Sequence, residues 1–508
     1  MTGYRLAGAA TPAGTARHAD HFAGLGPRAF APLGRTGLVA SRLGFGAYRV
    51  DDQTPGHREA LESALQAGVN LIDTSTNYTD GGSERLIGQV VADGVERGAV
   101  RRDELVVVSK IGYVQGENLD LARARESAGR PFPEMVKYMD GCWHCLHPAF
   151  LADQLPRSLA RLRLETLDVC LLHNPEYFFS DAKQRAEGSL PELRDEFYRR
   201  LGEAFRFLEG EVAAGHIGAY GVSSNTCTSP PDDPEATALA RMLEVARAAG
   251  GPGHHFRVLQ LPLNLVEAGA LQGALPAAIR EEVAVLVNRP LNAMAGRGML
   301  RLADFVVAEA PPPGEQLAVL AVLEEEFRRE IASRLQVTRG ANAPDDLFRW
   351  AEHLDGLAES LESLDHWEQI ENHMIVPRVA HAVRALDAAL RGDLGGRWQD
   401  WRGRYQAEIE RMFAAFRRVG AEQSRAGSLA VAAAVDPWLP APFRRQSLSR
   451  KALWVVASTP GVSAVLVGMR RTEYVNDAME VARWPGLEEV QWAYEAVAMH
   501  VAGPTSRL

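Results

Sequence analysis

Three apolar runs in this chain end in side chains that can move or hold a proton. N-L-I-D-T-S-T-N-Y begins at Asn70 and carries Asp73. L-V-V-V-S-K ends in Lys110, and L-D-V-C-L-L-H ends in His173. Alternation along an extended strand puts each polar residue on the face of its apolar predecessors: Leu71 leads to Asp73, Val106 and Val108 to Lys110, Val169 and Leu171 to His173. If the runs are parallel strands of one barrel, a carboxylate, an ammonium and an imidazole meet at the C-terminal end, the face on which such barrels carry their chemistry. V-K-Y-M-D-G-C-W-H-C-L-H-P, residues 136–148, offers a different chemistry. Its C-x-x-C with His144 and His147 invites a metal reading, but no second cysteine pair accompanies it, since Cys170 lies mid-strand and Cys227 in another loop. No metal site is expected. The stretch reads as a loop over the barrel mouth that brings Tyr113, Trp143 or His144 toward a substrate.

The elements that must position these groups follow a regular rhythm. Strand-like runs fall at residues 43–50, 70–74, 105–110, 167–173, 217–224, 257–263, 283–290 and 464–469, with amphipathic helical patterns between most of them. Eight strands alternating with helices predict a parallel sheet closed into a (β/α)8 TIM barrel. The interval before the eighth is the irregularity. P-P-P-G at 311–314 breaks the chain, and the stretch that follows is helical in pattern, rich in Ala, Leu, Glu and Arg, and punctuated by Trp350, Trp367, Trp398 and Trp401. Residues 306–446 are therefore expected to be an all-helical insertion whose tryptophans anchor its core. The barrel is expected over 29–305 and 447–508, and a mobile tail over 1–28. An insertion leaving after strand seven emerges on the face that carries Asp73, Lys110 and His173, so a lid, a specificity element or a docking surface for a protein partner is expected there.

Composition narrows the function classes. The 508 residues carry a formal net charge of -10, which gives no general attraction to nucleic acid or anionic membranes. Only 4 cysteines are present, so no disulfide framework is expected and a cytoplasmic location is the default. No apolar run reaches transmembrane length, and the first residues do not read as a secretory signal.

The ordered series L-G-R-T-G-L-V-A-S-R-L-G-F-G (33–46), D-T-S-T-N-Y (73–78) with G-G-S-E (81–84), S-K (109–110), the L-L-H ending in His173, G-A-Y-G-V-S-S-N (218–225) and V-G-M-R-R-T-E-Y (467–474) resembles the aldo-keto reductases. The resemblance implies carbonyl reduction by a tetrad of Asp73, Tyr78, Lys110 and His173. The nicotinamide cofactor brings the hydride and the protein supplies the proton. Tyr78 would be the proton donor, made a better acid by the Lys110 ammonium. Asp73 would keep Lys110 charged, and His173 would donate to the substrate oxygen. The resemblance further implies cofactor contacts at Gly46, Tyr48 and Asp73, a nicotinamide-amide site at Ser223, Ser224 and Gln260, and contacts at Arg289, Pro290 and Leu291 after strand seven. An adenosine-phosphate site would fall at Gly468, Arg470, Tyr474 and Asp477, and Tyr48 would also face substrate. Two arginines, Arg470 and Arg471, favour NADP over NAD. A Rossmann site is disfavoured because G-F-G-A-Y-R at 44–49 lacks the third glycine. This chain departs from the family pattern at Asn288, where an aromatic residue commonly stacks on the nicotinamide, and at Ala478, where Asn is common. The expected partner is a small carbonyl or sugar-like molecule. A nicotinamide-sensing scaffold with little turnover, and an NAD-linked sugar dehydrogenase, are the alternatives.

Overall fold

The computed structural model describes residues 5–186, 188–230, 232–295, 298–335 and 347–501. Eight parallel strands close in chain order into a barrel: β1 Leu43–Gly46, β2 Leu71–Asp73, β3 Val106–Ile111, β4 Leu167–His173, β5 Ile217–Ser223, β6 Phe256–Pro262, β7 Ala284–Asn288 and β8 Ala464–Val467. Val465 of β8 lies opposite Leu43 of β1, which completes the ring. Each expected strand is present, and the long interval between β7 and β8 holds no further barrel strand among the described residues.

Parity along the strands builds the interior. Leu71, Val106, Val108, Val169, Leu171, Val258, Leu286 and Leu466 pack together inside the barrel, nearly all of them inaccessible to water. Fully burying a Val or Leu side chain contributes about 1.5–3 kcal/mol, so this layer holds the strands in register. Two residues further along β2, β3, β4 and β6 the inward positions are Asp73, Lys110, His173 and Gln260, all buried. The polar site is thus the next storey of the same core. Leu33, Leu38 and Ala40 close the opposite end from the hairpin Phe30–Pro32/Val39–Ser41.

The N-terminal segment is not the mobile tail expected over residues 1–28. Residues 1–4 lie outside the described residues. Beyond them, the Leu6 amide donates to the Arg163 carbonyl at 2.8 Å. Pro12–His21 is a helix capped by Thr11, whose hydroxyl accepts from the Gly14 amide at 2.9 Å. Thr15 of that helix accepts from the Val39 amide at 3.1 Å. Backbone groups tied to the barrel hold a segment whose composition alone reads as loose.

The described residues divide into two compact units, one drawn from residues 5–291 and 449–498 and the other from residues 292–448 and 499–501. The first boundary falls earlier than position 306. The strands Asn292–Ala295 and Gly298–Arg301 form a hairpin whose Arg301 pairs with Asp365 at 3.0 Å and accepts on its carbonyl from Ser428 at 3.1 Å, so its partners are in the helical unit. The second unit is built on helices Pro313–Glu330 and Gly392–Val435. Trp398, Trp401 and Tyr405 recur at helical spacing on one face of the longer helix, and with Trp350 and Trp367 all are at most 6% exposed. Trp401 donates to the Leu323 carbonyl at 2.7 Å and Trp398 to Asp387 at 2.8 Å. The tryptophans are the core anchors of this unit.

Candidate active site

Register brings the polar residues to one level. Asp73 on β2 lies opposite Gly46 on β1 and Val108 on β3. Ser223 on β5 lies opposite both His173 on β4 and Gln260 on β6. A register shift at Tyr220/Gly221 permits this, and it needs glycine, because a Cβ on Gly221 would stand 1.7 Å from the Val258 carbonyl oxygen.

Lys110 is fully buried, and its Nζ donates to Asp73 Oδ2 at 2.7 Å, to the Thr74 carbonyl at 2.7 Å and to Tyr78 Oη at 3.2 Å. An ammonium has three protons, and three acceptors take them. Burial alone would lower its pKa; the Asp73 carboxylate and the Tyr78 oxygen outweigh that and hold Lys110 above the ordinary lysine value. The second Asp73 oxygen accepts from Gln260 Nε2 at 2.8 Å, and Gln260 Oε1 accepts from Ser223 at 3.2 Å. Burial raises the Tyr78 phenol above its ordinary value, with Lys110 opposing, so it stays protonated at neutral pH. Because Tyr78 Oη already accepts from Lys110, its own proton points away from the lysine. The Tyr78 ring meets Tyr48 edge-on at 5.1 Å and His173 at 5.8 Å between centroids, and Tyr48 is 62% exposed.

His173 is neutral: burial, then Lys110 and His144, hold its pKa well below the ordinary histidine value. Its Nδ1 stands 3.0 Å from Ser75 Oγ. Its backbone carbonyl accepts from His144 Nε2 at 2.6 Å. His144, with its pKa pushed down to about 4 by burial, is therefore a neutral tether of the β4 terminus and not a free side chain at the mouth. A Cβ on Gly112 would come within 2.6 Å of both His144 Nε2 and the His173 carbonyl oxygen, so this tether requires glycine there. Trp143, on the alternate face of the strand Cys142–His144, lies against Lys137 at 4.4 Å and Arg123 at 5.7 Å and does not join the cluster. Tyr113 does: its ring meets His173 at 4.6 Å, its hydroxyl accepts from Asn174 at 2.9 Å and donates to Tyr177 at 2.9 Å. Tyr177 stacks on Tyr138 at 4.2 Å. The motif C-x-x-C gives two buried free thiols, and no metal-binding group of three or more His, Cys, Asp or Glu occurs among the described residues.

The residues expected around a cofactor divide. Ser223, Ser224 and Gln260 are buried at the C-terminal ends of β5 and β6, with Ser224 hydrogen-bonded to Thr237 at 2.9 Å. Gly46 ends β1 beside Asp73. Arg470 precedes the helix Thr472–Ala482 and makes no ion pair among the described residues, and nothing would meet a Cβ on Gly468 within 4 Å. Tyr474 is exposed, with Arg471 at 5.9 Å from its ring. Two expectations fare differently. Arg289, with a left-handed φ of 51°, pairs with Glu267 at 2.9 Å, so its guanidinium is already engaged by a carboxylate between Asn288 and the Pro290–Leu291 turn. Asp477 accepts from Arg450 at 2.7 Å and from Ser449 at 3.2 Å; it braces two helices. Asn288 keeps a buried Oδ1 without a partner.

Reading the sequence missed Ser75, Asn77, Gln115, Asn174, Glu176 and Tyr177. Glu176 is buried, accepts from the Asn225 amide at 2.7 Å, and burial pushes its carboxyl up to about 7. Nothing but their place just beyond strand ends distinguishes these residues in the sequence.

Residues 42–229 match the model of the aldo/keto reductase family. An NADPH-dependent D-xylose reductase of Meyerozyma guilliermondii is 26% identical over 195 residues, 37% of this chain and 50% of that protein. An NADH-specific methylglyoxal reductase of Escherichia coli is 27% identical over 201 residues, 37% of this chain and 54% of that protein. The chain thus spans about half the length of these curated relatives. The solved glycerol dehydrogenase of Gluconobacter oxydans is 17% identical, with a TM-score of 0.48 over 95% of this chain and 99% of that one. Among the described residues no helix is long and apolar enough to cross a membrane. With the matched segment running from β1 past β5 through Asp73, Lys110 and His173, the chain carries an aldo/keto reductase family domain at residues 42–229.

Proposed function

We propose that this barrel reduces an aldehyde or ketone with a nicotinamide cofactor, or oxidises the matching alcohol, with Tyr78 as the proton donor. The observation that carries the reading is the chain Asp73–Lys110–Tyr78, its aspartate and lysine buried, with distances of 2.7 and 3.2 Å, beside a neutral His173. The nicotinamide, when bound, supplies the hydride. The chain's residues do the rest. Lys110, kept charged by Asp73, withdraws electron density from the Tyr78 oxygen and stabilises the phenolate left after proton transfer. The Tyr78 proton, turned away from Lys110, is free to meet a carbonyl oxygen. His173, neutral and fixed, contributes a second hydrogen bond to that oxygen as charge develops on it. In the oxidative direction the same groups take the proton back.

The residues fit such a cofactor at both ends. Ser223, Ser224 and Gln260 offer buried hydroxyls and an amide beside Asp73, and Arg470 offers a guanidinium with no ion pair among the described residues just before a helix N-terminus, a place suited to phosphate. The names of the relatives divide between NADPH and NADH, so the preference rests on Arg470 and Arg471, and we favour NADP. Arg289 holds Glu267 and is not assigned a pyrophosphate contact. The substrate is a small carbonyl compound or sugar. Tyr78→Phe is the direct test: cofactor binding, followed by fluorescence titration, is expected to survive while carbonyl reduction falls by about 10² to 10⁴-fold. Parental turnover in the Phe variant would end the assignment.

A further inference from the structure

Three of the four groups assigned to the reaction sit on strands: Asp73 on β2, Lys110 on β3 and His173 on β4. Tyr78 does not. It opens a short 3-10 turn, Tyr78–Gly81, in the loop after β2, so its place depends on whatever holds that loop. Thr79 and Asp80 in this turn both have left-handed backbone, with φ of 48° and 52°, and Gly81 follows at 76°. Glycine adopts this region freely and aspartate tolerates it, but a β-branched residue such as threonine rarely does. Two such residues in succession persist only where their surroundings over-determine them. Here the surroundings come from the loops on either side. Toward β1, Thr79 Oγ1 lies 2.8 Å from the Val50 carbonyl and 2.8 Å from the Tyr78 carbonyl, and its one proton serves either. Arg85 Nη1 donates to the Asp80 carbonyl at 3.2 Å while its Nε donates to Asp52 at 2.9 Å. Toward β3, the Glu117 amide donates to the two Asp80 carboxylate oxygens at 3.2 and 3.3 Å. Glu117 is the second residue of the helix Gly116–Ser127, and Gln115, which precedes that helix, makes no side-chain capping bond. Asp80 thus supplies from another loop the acceptor that the helix N-terminus lacks. Gly116 permits the approach, since a Cβ there would stand 2.3 Å from Asp80 Oδ1.

We propose that Asp80 is the positioning residue of Tyr78: docked on the helix Gly116–Ser127, its carboxylate holds the left-handed corner that sets Tyr78 Oη 3.2 Å from Lys110 Nζ. The arrangement refers both partners to one frame. Lys110 lies near the end of β3, and the helix that receives Asp80 begins at Gly116 in the connection that leaves the same strand. A corner free to move would carry the phenol away from the ammonium, whereas a clamped one keeps the two in register. The consequence for the reaction rests on the carbonyl-reduction reading; the placement of the Tyr78 ring does not.

Asp80→Gly isolates this role. Glycine accepts a φ of 52° without strain, so the chain can keep its course while the carboxylate is gone. Relief of the left-handed backbone and loss of the helix cap oppose each other, so the urea midpoint is expected to change little. Reduction of an aldehyde is expected to fall about tenfold to a hundredfold in kcat, the effect of a small misplacement, with KM and NADPH affinity in a fluorescence titration nearly unchanged. Asp80→Asn keeps an acceptor oxygen and tolerates left-handed backbone, and is expected to recover most of the loss. The ring itself is followed by 19F NMR of the full chain carrying 3-fluorotyrosine. Tyr78 is assigned among the 11 tyrosines by the signal lost in Tyr78→Phe. That signal is expected to shift or broaden in Asp80→Gly and to return in Asp80→Asn. A parental Tyr78 signal in Asp80→Gly overturns the proposal, whatever the rate. If instead the signal moves and reduction is unaffected, the positioning stands and it is the Tyr78 role in the proposed reaction that fails.

Discussion

Replacing Lys110 with Met separates what the lysine does for the fold from what it does for chemistry. Lys110 and the Asp73 side chain are 0% and 5% exposed, and Nζ lies 2.7 Å from Oδ2. Removing the ammonium leaves a buried carboxylate with one remaining side-chain donor, Gln260. Breaking a buried ion pair in this way costs about 3–5 kcal/mol, whereas replacing both partners with neutral groups is close to neutral. Lys110→Met is therefore expected to lose about 3–5 kcal/mol at pH 8. The sign with pH follows: without its cation Asp73 takes up a proton in the folded state more readily than in the unfolded chain, so the variant gains stability relative to the parent as pH falls. The double variant Asp73→Asn/Lys110→Met keeps an oxygen for Gln260 and has no charge to strand, and is expected to recover most of the lost stability. It is not expected to recover reduction, because the phenolate of Tyr78 still lacks its cation, and kcat/KM should stay about 10² to 10⁴-fold down in single and double alike. Urea denaturation of the three proteins at pH 5 and 8, beside turnover of an aldehyde panel, reads both arms. A double variant no more stable than the single would refute the ion-pair argument, and parental turnover in either would refute the assistance to Tyr78.

Other perturbations follow from the same contacts. Glu176 titrates at about 7 when folded against an ordinary 4.5, so the folded state holds the extra proton and stability falls as pH rises between those values, by roughly 3 kcal/mol in all; Glu176→Gln, which keeps an acceptor for Asn225, should abolish the slope in melting experiments at pH 5 and 8. Arg470→Ala is expected to weaken NADPH binding about tenfold to a hundredfold and NADH binding little, a difference that equal parental affinities for the two would contradict. Gly112→Ala forces a methyl against the His144–His173 tether and should cost about 1–3 kcal/mol with a fall in kcat, where an unchanged Tm would show that the tether is slack.

How much of this is legible in the sequence depends on whether a residue's position is set by its own strand. Asp73, Lys110 and His173 are inward because Leu71, Val108 and Leu171 two residues earlier are inward, and period-two alternation carries that information in a few residues. The eight strands are legible for the same reason. The misplacements come where a partner far along the chain decides. Arg289 is a free cation until Glu267 is found beside it, and Asp477 a phosphate-site residue until Arg450 is. His144 reads as a mouth residue, but the Gly112 gap lets it reach the His173 backbone. The N-terminal segment has no strong pattern of its own and is ordered by backbone bonds to Arg163 and by the Thr15–Val39 contact.

The same distinction explains why the reactive groups are few and their supports many. Lys110 spends all three protons inside the site, Asp73 has both oxygens engaged, and Gln260 ties Asp73 to Ser223 on the next strand. Such closure fixes direction as well as place: with Nζ donating to Tyr78 Oη, only one region remains for the phenol proton. Burial lifts Lys110's competitor Tyr78 and depresses His173, so over the neutral range the ammonium stays charged, the phenol protonated and the imidazole neutral. One consequence is testable without any variant. Carbonyl reduction should show no inflection between about pH 6 and 9 that is traceable to these three groups, since none of them titrates there. Any break within that window is expected near the Glu176 value of about 7 and should vanish in Glu176→Gln. A break that persists in that variant and disappears in His173→Asn would show that His173 titrates in the neutral range, against the burial that keeps it uncharged.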